Sequence, residues 1–365
     1  MNSYKILNDL ESCIIINKAS YLNPKLSKFL IENFSSLKDI KDNIVKIQQN
    51  FKINIESFQK TLNYNCSKEI TYIKNNNVNI LTLSSKNYPD YLKEIANNPV
   101  ILFTKGNIEC LNRPLFSIIG TRKPTEYAKT ATSNISSKLS EYFCIVSGLA
   151  LGIDSIAHES CVKEHNQTIA VLAHGIDSIH PKSNITLATN ILNKKGLLIS
   201  EFPLFSSPQK FHFPQRNRII SGLSQGLLIT EATIKSGSMI TANFAIEQNR
   251  DVFALPGNIT NKNAEGPIHL IQQGAKCIYT VKDIFDEFNI SITEKNDQQS
   301  SVKTVSHEQF NSTENKILSI LTPQHHIDEI QEKTQLDLST VLHTLTFLEI
   351  KSIIKKTSAN TYILK

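Results

Sequence analysis

The chain has 365 residues, of which 40% are apolar and 20% charged, and its formal net charge is +6. This length allows two or three domains with ample core, and the composition is typical of a soluble globular protein. The positive surplus is a mild bias toward anions and excludes a histone-like basic tail.

The cysteines and the N-terminus indicate a cytoplasmic protein. Six cysteines occur without a CxxC pair or a zinc-like Cys/His spacing, which predicts reduced core thiols and no metal site. The N-terminus lacks the basic start and long apolar core of a signal peptide. No apolar run approaches the length that spans a membrane, so we expect no membrane partner.

The first 110 residues are predicted to form a small helical N-terminal domain followed by an extension. LSKFLIENF has apolar residues at helical spacing, and Asn/Lys-rich joints separate the helices. NVNILTLSS, further along, is predicted to be extended.

Residues 111–288 are predicted to form the central domain. Between most of its apolar runs lie amphipathic stretches of helical length, and the runs are LFSIIG, CIVSG, TIAVLAH, LLISEF, LLITEA and DVFALPG. Buried strands that alternate with helices predict a parallel sheet covered on both faces. The fold class is therefore α/β, an extended Rossmann-like, doubly wound parallel sheet. Such sheets bind ligands at the carboxyl ends of their strands.

The remaining residues are predicted to be a polar linker at 289–312 and a small winged-helix domain at 313–365. ENKILSIL, IDEIQEKT and LSTVLHTLTFLEIK predict three helices, and SIIKK with TYILK predicts a hairpin. A DNA-reading third helix exposes basic or amide side chains. This one has few, which favours packing or protein contact.

The loops after the first two central strands contain Gly120 with Arg122, and Gly148 with Gly152. Neither the G-x-G-x-x-G pattern nor a P-loop is present, which disfavours dinucleotide binding. Arg122 lies near the start of a helix, where backbone N–H groups also favour an anion. Asp154 could be a general base, but capping of the next helix is the favoured role.

The loop GIDSIHPKSN follows the third central strand, and its Lys182 is a candidate phosphate contact. The same loop contains three residues of types that bind metals, but their spacing is too irregular to favour a metal site. They are His174, Asp177 and His180.

The segment FPQRNRIISGLSQG places Arg216 and Arg218 on either side of Asn217, just after Phe213. Arginine offers a planar fork that suits phosphate, and aromatic rings beside cations suit unpaired bases. Helical residues two apart point about 200° from each other, so we expect one arginine to contact phosphate and the other to brace the loop. Two alternatives stay open. Phe213 packs in the core, or the arginines pair with acids near strand ends, namely Glu201 and Glu231.

The segment TIKSGSMITA, after the strand LLITEA, places Gly237 between Ser236 and Ser238 at the start of a helix. This pattern is typical of a phosphate or oxyanion nest. The strand ends together offer cations but no convincing set of nucleophile, base and orienting group, which describes an anion-binding cleft better than a hydrolase.

These segments resemble, in this order, the DprA/Smf family of DNA-processing proteins from about residue 87 to 280. The matching segments are NYPDYLKEIANNPVILFTKGN, IIGTRKPT, VSGLALGIDSIAH, LISEFP, FPQRNRIISGLS, KSGSMITA and VFALPG. The resemblance implies a homodimer that binds single-stranded DNA through the extended Rossmann domain. It also implies loading of RecA recombinase on incoming strands in natural transformation, with single-strand-binding protein as a further partner. It implies no catalytic activity and no cofactor.

The strand-end loops and the resemblance together give twelve candidate DNA-binding residues. They are Gly120, Arg122, Gly148, Gly152, Lys182, Phe213, Arg216, Asn217, Arg218, Ser236, Gly237 and Ser238.

The chain departs from the family's pattern in several places. Leu151 stands where many relatives have a basic residue, and Ala264 and Ile268 stand where polar residues are usual. Asn23-Pro24 replaces the glycine hairpin of the N-terminal domain. We therefore expect a degenerate helix-hairpin-helix, or SAM-like, domain with a structural or regulatory role.

The alternative function is a Rossmann-like nucleotide hydrolase, a chemistry that this sheet architecture also supports. Glu231 and Ser238 would be its best catalytic residues. The P-G-G-x-G-T signature of such enzymes is absent from the sequence, which favours the DNA-binding hypothesis.

Overall fold

The computed structural model describes residues 4–290, 310–321, 325–351, 353–358 and 360–364. They divide into two units, Met1–Ser291 and Ile292–Lys365. Most of the predicted linker at 289–312 lies outside the described residues.

Residues 4–75 are mainly helical, as their apolar spacing predicts. The helices are α1 Leu10–Ser20, α2 Pro24–Asn33, α3 Leu37–Asp42, α4 Ile44–Asn50, α5 Ile55–Leu62 and α6 Ser67–Asn75. The side chains of Asp9 and Asn23 cap α1 and α2, and Pro24 supplies the fixed φ that suits a first helical residue. Apolar residues of α1 share a core with strand residues of the sheet, so these helices cover part of one sheet face. The helix-hairpin-helix assignment stays a prediction.

A nine-stranded sheet forms the centre of the first unit. The strands are β1 Val78–Thr82, β2 Ile101–Gly106, β3 Leu115–Ile119, β4 Cys144–Ser147, β5 Thr168–Leu172, β6 Leu197–Ser200, β7 Gly226–Ile229, β8 Asp251–Ala254 and β9 Lys276–Cys277. Their order is β1-β2-β6-β5-β4-β3-β7-β8-β9, with parallel pairing from β6 to β9. All six apolar runs predicted as strands are strands.

The sheet is mostly parallel rather than wholly parallel. β2 pairs antiparallel with β6, and β1 pairs antiparallel with β2. Both strands precede residue 110, so the sheet extends into the segment that the sequence assigned to the N-terminal domain. The pairing joins β2 to a strand about 90 residues later, which local sequence patterns do not reveal.

Helices cover both faces of the sheet. They are α7 Asp90–Glu94, α8 Glu126–Leu139, α9 Ile153–Lys163, α10 Ile185–Asn193, α11 His212–Leu223, α12 Gly237–Glu247, α13 Glu265–Gln272 and α14 Lys282–Glu287. Ile219 and Ile220 of α11 pack with strand residues on one face, while Ile153 and Ala157 of α9 pack on the other. The doubly wound arrangement therefore agrees with the predicted fold class.

The direction of winding reverses at β3. The chain proceeds from β3 through β4 and β5 to β6 on one side, then returns to place β7 on the other side of β3. Loops that leave β3 and β7 diverge there, and a crevice at such a switch point is where open α/β sheets bind ligands.

The second unit contains α15 Ser312–Leu318, α16 Ile327–Thr334 and α17 Leu338–Ile350, with β10 His325–His326, β11 Ile354–Ser358 and β12 Thr361–Leu364. The strands form an antiparallel sheet in the order β10-β12-β11. The three helices and the final strand pair fall where the sequence predicts them. The winged-helix assignment itself stays a prediction.

Five of the six cysteines are buried free thiols, as expected, but Cys277 is exposed. Among the described residues, the helices are all too short or too polar to cross a membrane.

Candidate nucleic-acid interface

A cleft of about 740 Å³ opens at the switch point between β3 and β7. Its walls are the loops after these strands and the first turns of α11 and α12. Eight of the twelve predicted residues line it: Gly120, Arg122, Phe213, Arg216, Asn217, Ser236, Gly237 and Ser238.

Arg122 is exposed on the loop after β3, and two contacts position this loop. Gly152 has φ 81°, and a Cβ there would lie 2.4 Å from the Thr121 carbonyl oxygen. Only glycine therefore allows the loop after β4 to pack so closely beneath Arg122. Glu231 accepts hydrogen bonds from the Thr125 N–H at 2.9 Å and its hydroxyl at 2.7 Å, which anchors the far end of the loop.

Arg216 is the buried cation of the cleft, with only 4% of its surface exposed. Its Nη1 donates to the carbonyl oxygens of Gly148, at 2.8 Å, and Val171, and its Nε donates to Asn217 Oδ1 at 3.1 Å. Burial lowers the pKa of Arg216 to about 10, against the opposing effect of the Asp154 carboxylate. The guanidinium therefore remains charged at neutral pH, held by the ends of β4 and β5.

Asp154 lies in the first turn of α9 and does not cap this helix, which corrects the favoured expectation. The N-cap of α9 is Gly152, and the Asp154 carboxylate instead accepts the Gly148 N–H at 3.1 Å. Burial raises its pKa, while the charge of Arg216 opposes that rise. Asp154 thus serves as a buried counter-charge to Arg216.

The N-terminus of α12 forms the opposite wall. Asn217 Nδ2 donates to the Gly237 carbonyl at 3.2 Å, and the Ser238 hydroxyl donates to the Gly120 carbonyl at 2.7 Å. Ser236 is the N-cap residue, but its hydroxyl has no partner among the described residues. Gly237 is exposed, and a Cβ on it would meet no atom within 4 Å. The first N–H groups of α12 therefore border open space, as at helix termini that bind anions.

A smaller cavity of about 100 Å³ adjoins the cleft behind Phe213 and Arg216. His174 and His180 line it with their rings 6.3 Å apart, and Gly148 lines it where a Cβ would lie 2.6 Å from Arg216 Nη2. Burial lowers the pKa of His174, whose Nδ1 hydrogen-bonds the Gly175 carbonyl at 2.9 Å. The sequence singled out these histidines only as unlikely metal ligands, so their place in this cavity was missed.

Three predicted residues lie outside both cavities. Gly152 packs against the loop that carries Arg122 but does not line either cavity. Lys182 is exposed but does not line either of them. Arg218 is 7% exposed, and its Nη2 lies 2.6 Å from each carboxylate oxygen of Glu201. The expectation that Arg218 enters the cleft is therefore corrected, whereas the expected bracing arginine against Glu201 is confirmed.

Positive charge dominates the cleft. Arg122, Lys123, Lys210 and Arg216 line it together with a single carboxylate, that of Asp154. The Arg122 guanidinium carbon lies 5.4 Å from the centre of the Phe213 ring, within the range of a cation–π contact. The arrangement can hold a phosphate on cations and N–H groups, with a flat ring alongside it.

The fold and the site thus define a Rossmann-like α/β protein with a cationic cleft at its switch point. Residues 79–289 match the family model of DNA recombination-mediator protein A. Since this match covers more than half of the chain, the protein belongs to that family. The resemblance to DprA/Smf proteins is confirmed.

Curated relatives agree with this assignment. The chain is 45% identical over 222 residues to DNA processing protein DprA of Bacillus subtilis, which covers 60% of this chain and 74% of that protein. It is 42% identical over 201 residues to DNA processing protein DprA of Streptococcus pneumoniae, covering 55% and 71%. Protein Smf of Escherichia coli is 37% identical over 232 residues, covering 61% and 60%.

Two solved structures are similar in fold. The DNA processing protein A of Streptococcus pneumoniae matches with a TM-score of 0.63 and 33% identity, covering 78% of this chain and 96% of that one. That of Helicobacter pylori, described as giving insights into its single-stranded DNA binding mode, matches with a TM-score of 0.52 and 31% identity. It covers 57% of this chain and 95% of its own.

Proposed function

We propose that this protein binds single-stranded DNA in the cleft between β3 and β7. The observation that carries the proposal is the convergence of exposed Arg122 and buried Arg216 on the open N-terminus of α12. Membership of the DNA recombination-mediator family supports it, as does the single-stranded DNA binding described for the Helicobacter pylori relative.

The charged groups have distinct parts in this binding. Arg122 can move to meet a phosphate because it is exposed, while Arg216 is held in place by backbone carbonyls. A preorganised cation loses little entropy on binding, so Arg216 would set the position of the strand and Arg122 would add affinity. The N–H groups at the start of α12 would donate hydrogen bonds to a further phosphate oxygen.

Phe213 gives a reason for a preference for single strands. Its half-buried ring lines both the cleft and the smaller cavity. A base can stack on such a ring only when it is unpaired, and each stacked base contributes about 1–3 kcal/mol. Duplex DNA would keep the phosphate contacts and lose this stacking.

The test is the affinity of the full chain for labelled single-stranded and duplex oligonucleotides of equal length across a salt series. We expect tighter binding of the single strand at every salt concentration and a linear fall of log K with log salt. Equal affinity for the two at matched salt would overturn the proposal.

We further propose that the bound strand is handed to RecA recombinase, so that the protein acts in the cytoplasm as a homodimeric recombination mediator in natural transformation. Family membership supports this role. The protein should speed RecA filament formation on strands precoated with single-strand-binding protein, and it should scatter light as a dimer at micromolar concentration. No stimulation, with active RecA from the same source, would remove the mediator role.

The proposed function has no catalytic step. The two residues best suited to a hydrolase are engaged in holding loops: Glu231 accepts from Thr125 and from Asn261 at 2.9 Å, and Ser238 donates to Gly120. Release of free base from nucleoside monophosphates by the purified protein would contradict this part of the proposal.

A further inference from the structure

The smaller cavity behind Phe213 and Arg216 is not explained by phosphate binding in the cleft. Its volume of about 100 Å³ is below the roughly 150 Å³ of a closed cavity that holds benzene. It is open at its rim, where Leu151 and His180 are exposed. The cavity can therefore receive part of one six-membered ring, while the rest of that ring stays outside, and it has no room for the second ring of a purine.

Rings and apolar side chains form most of the wall. The His180 ring is centred 6.3 Å from that of Phe213, with an angle of 62° between their planes, so the two rings form adjacent walls. Leu151, which is 46% exposed, and Pro181 also line the cavity. Flat aromatic and apolar surfaces of this kind are what proteins offer to unpaired bases.

One charged group of the wall is accessible and unpaired. Arg216 uses its Nε and Nη1 for hydrogen bonds, whereas its Nη2 makes none with a described residue and is not enclosed by the protein. Nη2 lies beside Gly148, where a Cβ would be 2.6 Å from it, and Gly148 lines the smaller cavity but not the cleft. Nη2 is therefore a donor that an occupant of the cavity can reach.

The chemistry of the wall favours a base over a metal ion or a phosphate. Its lining residues, as far as the chain is described, include no carboxylate, and the guanidinium groups of Arg122 and Arg216 repel a cation. A phosphate would exchange water for a largely apolar wall, which is costly for a charged group. A neutral base loses less on leaving water, and its carbonyl oxygen suits the Nη2 donor.

We propose that the smaller cavity is a base subsite, which takes one pyrimidine of the strand held in the cleft. The subsite rests on the proposed function, since the strand must first occupy the cleft. The base lies against Phe213 and His180, and its carbonyl oxygen accepts a hydrogen bond from Arg216 Nη2. His180 thereby gains a role in recognition that its sequence context did not indicate.

The first experiment measures binding of a short oligothymidine in which each position in turn is made abasic. One position should be the most sensitive, with a loss of at least about fivefold, the low end for one stacked base. Leu151→Trp covers the rim of the cavity at an exposed position, so this variant should lose the sensitivity. Val45→Trp, at a residue of α4 that is 67% exposed, is the matched control and should keep it.

The second experiment is photocrosslinking of the full chain to an oligothymidine that carries 4-thiothymidine at the sensitive position. Mass spectrometry should find the adduct on His180, a ring that lines the smaller cavity but not the cleft. An excess of unlabelled strand should suppress it. This readout does not depend on the folding of any variant.

The outcomes separate the subsite from the proposed function. If the parent does not bind single strands, both fail. If the parent binds and Arg122→Ala binds less tightly, the subsite alone is overturned by any of three results: no position stands out, Leu151→Trp keeps the parent's sensitivity, or no adduct forms on His180. Adenine at the sensitive position should weaken binding by the parent, and unchanged affinity there would overturn the assignment of a pyrimidine.

Discussion

Arg218 on α11 and Glu201 at the end of β6 form a buried ion pair in which Nη2 lies 2.6 Å from both carboxylate oxygens. Their side chains are 8% and 6% exposed. The carbonyl of Glu201 also accepts a hydrogen bond from Asn17 of α1 at 2.7 Å. The pair therefore ties the helical N-terminal segment and the sheet to the helix that carries Arg216.

Removal of either partner of this pair should destabilise the protein strongly. Arg218→Ala or Glu201→Ala leaves one buried charge uncompensated, which costs about 3–5 kcal/mol in the free energy of unfolding. The double change Arg218→Ala with Glu201→Ala should cost less than the sum of the single changes, because neither charge is then left without its partner. Urea unfolding measures all three.

The exposed pair between Lys129 and Glu126, with a distance of 2.7 Å, is the control for that cycle. Its side chains are 46% and 79% exposed, so its removal should change stability by less than about 1 kcal/mol. Simple additivity of the Arg218 and Glu201 changes would show that the buried pair is not coupled.

Arg122→Ala should weaken binding to single strands of any sequence without loss of stability, because Arg122 is exposed in the cleft. The slope of log K against log salt should become shallower by roughly 0.7, the value for one lost phosphate contact on a single strand. Binding isotherms at several salt concentrations give the slope. Lys60→Ala, an exposed cation on α5, should leave both affinity and slope unchanged, and an unchanged slope for Arg122→Ala would argue against phosphate contact.

Gly237→Ala and Gly152→Ala should separate binding from folding. A Cβ at Gly237 meets no protein atom within 4 Å, so that variant should stay as stable as the parent while its methyl group obstructs a ligand above α12. A Cβ at Gly152, where φ is 81°, meets the Thr121 carbonyl oxygen at 2.4 Å, so that variant should unfold more easily. Thermal melts and oligonucleotide binding, measured on both variants, test this. Normal affinity of Gly237→Ala would place the strand elsewhere.

His158 should make the protein less stable at acidic pH. Burial lowers its pKa to about 3 in the folded state, and the unfolded value is about 6.5. The unfolded chain therefore binds the extra proton between these values, so stability falls as the pH drops below about 6.5. The slope from this residue approaches roughly 1.4 kcal/mol per pH unit until the folded pKa is reached.

Urea unfolding of the parent and His158→Asn between pH 7.5 and pH 5 isolates that contribution. His158 Nδ1 lies 2.7 Å from the Thr168 hydroxyl oxygen, and asparagine can keep a donor there. We expect a shallower pH dependence for the variant. Parallel curves would show that other groups, such as His212, whose pKa burial also lowers, account for the effect.

Removal of all residues beyond about 300 should leave the salt dependence of DNA binding nearly intact. Residues 292–365 form a separate unit, and α17 exposes apolar side chains in place of a basic row: Leu338, Leu342, Phe347 and Ile350. Isotherms of the truncated and full chains, measured over the same salt series, compare the slopes directly. A much shallower slope after truncation would assign phosphate contacts to the second unit.

The sequence by itself determined the central strands and the chemistry of their ends. Each of the six runs is apolar over its own length, and apolar runs that alternate with helices admit only a covered, largely parallel sheet. Strand ends converge at one edge of such a sheet, so the sequence predicts that Arg122, Gly237 and the segment with Arg216 lie close together. The strand predictions hold because each depends on residues close together in the chain, and the meeting of the strand ends follows from the parallel sheet that those strands form.

Only the tertiary structure decided which of the two neighbouring arginines lines the cleft and which pairs with Glu201. Arg216 donates to the carbonyl oxygens of Gly148 and Val171, and Arg218 donates to the Glu201 carboxylate. These three partners come from the ends of different strands. The addition of β1 and β2 to the sheet was decided in the same way, through pairing with β6. A side chain two positions along a helix points to a different part of the fold, and the partner found there depends on how distant segments pack.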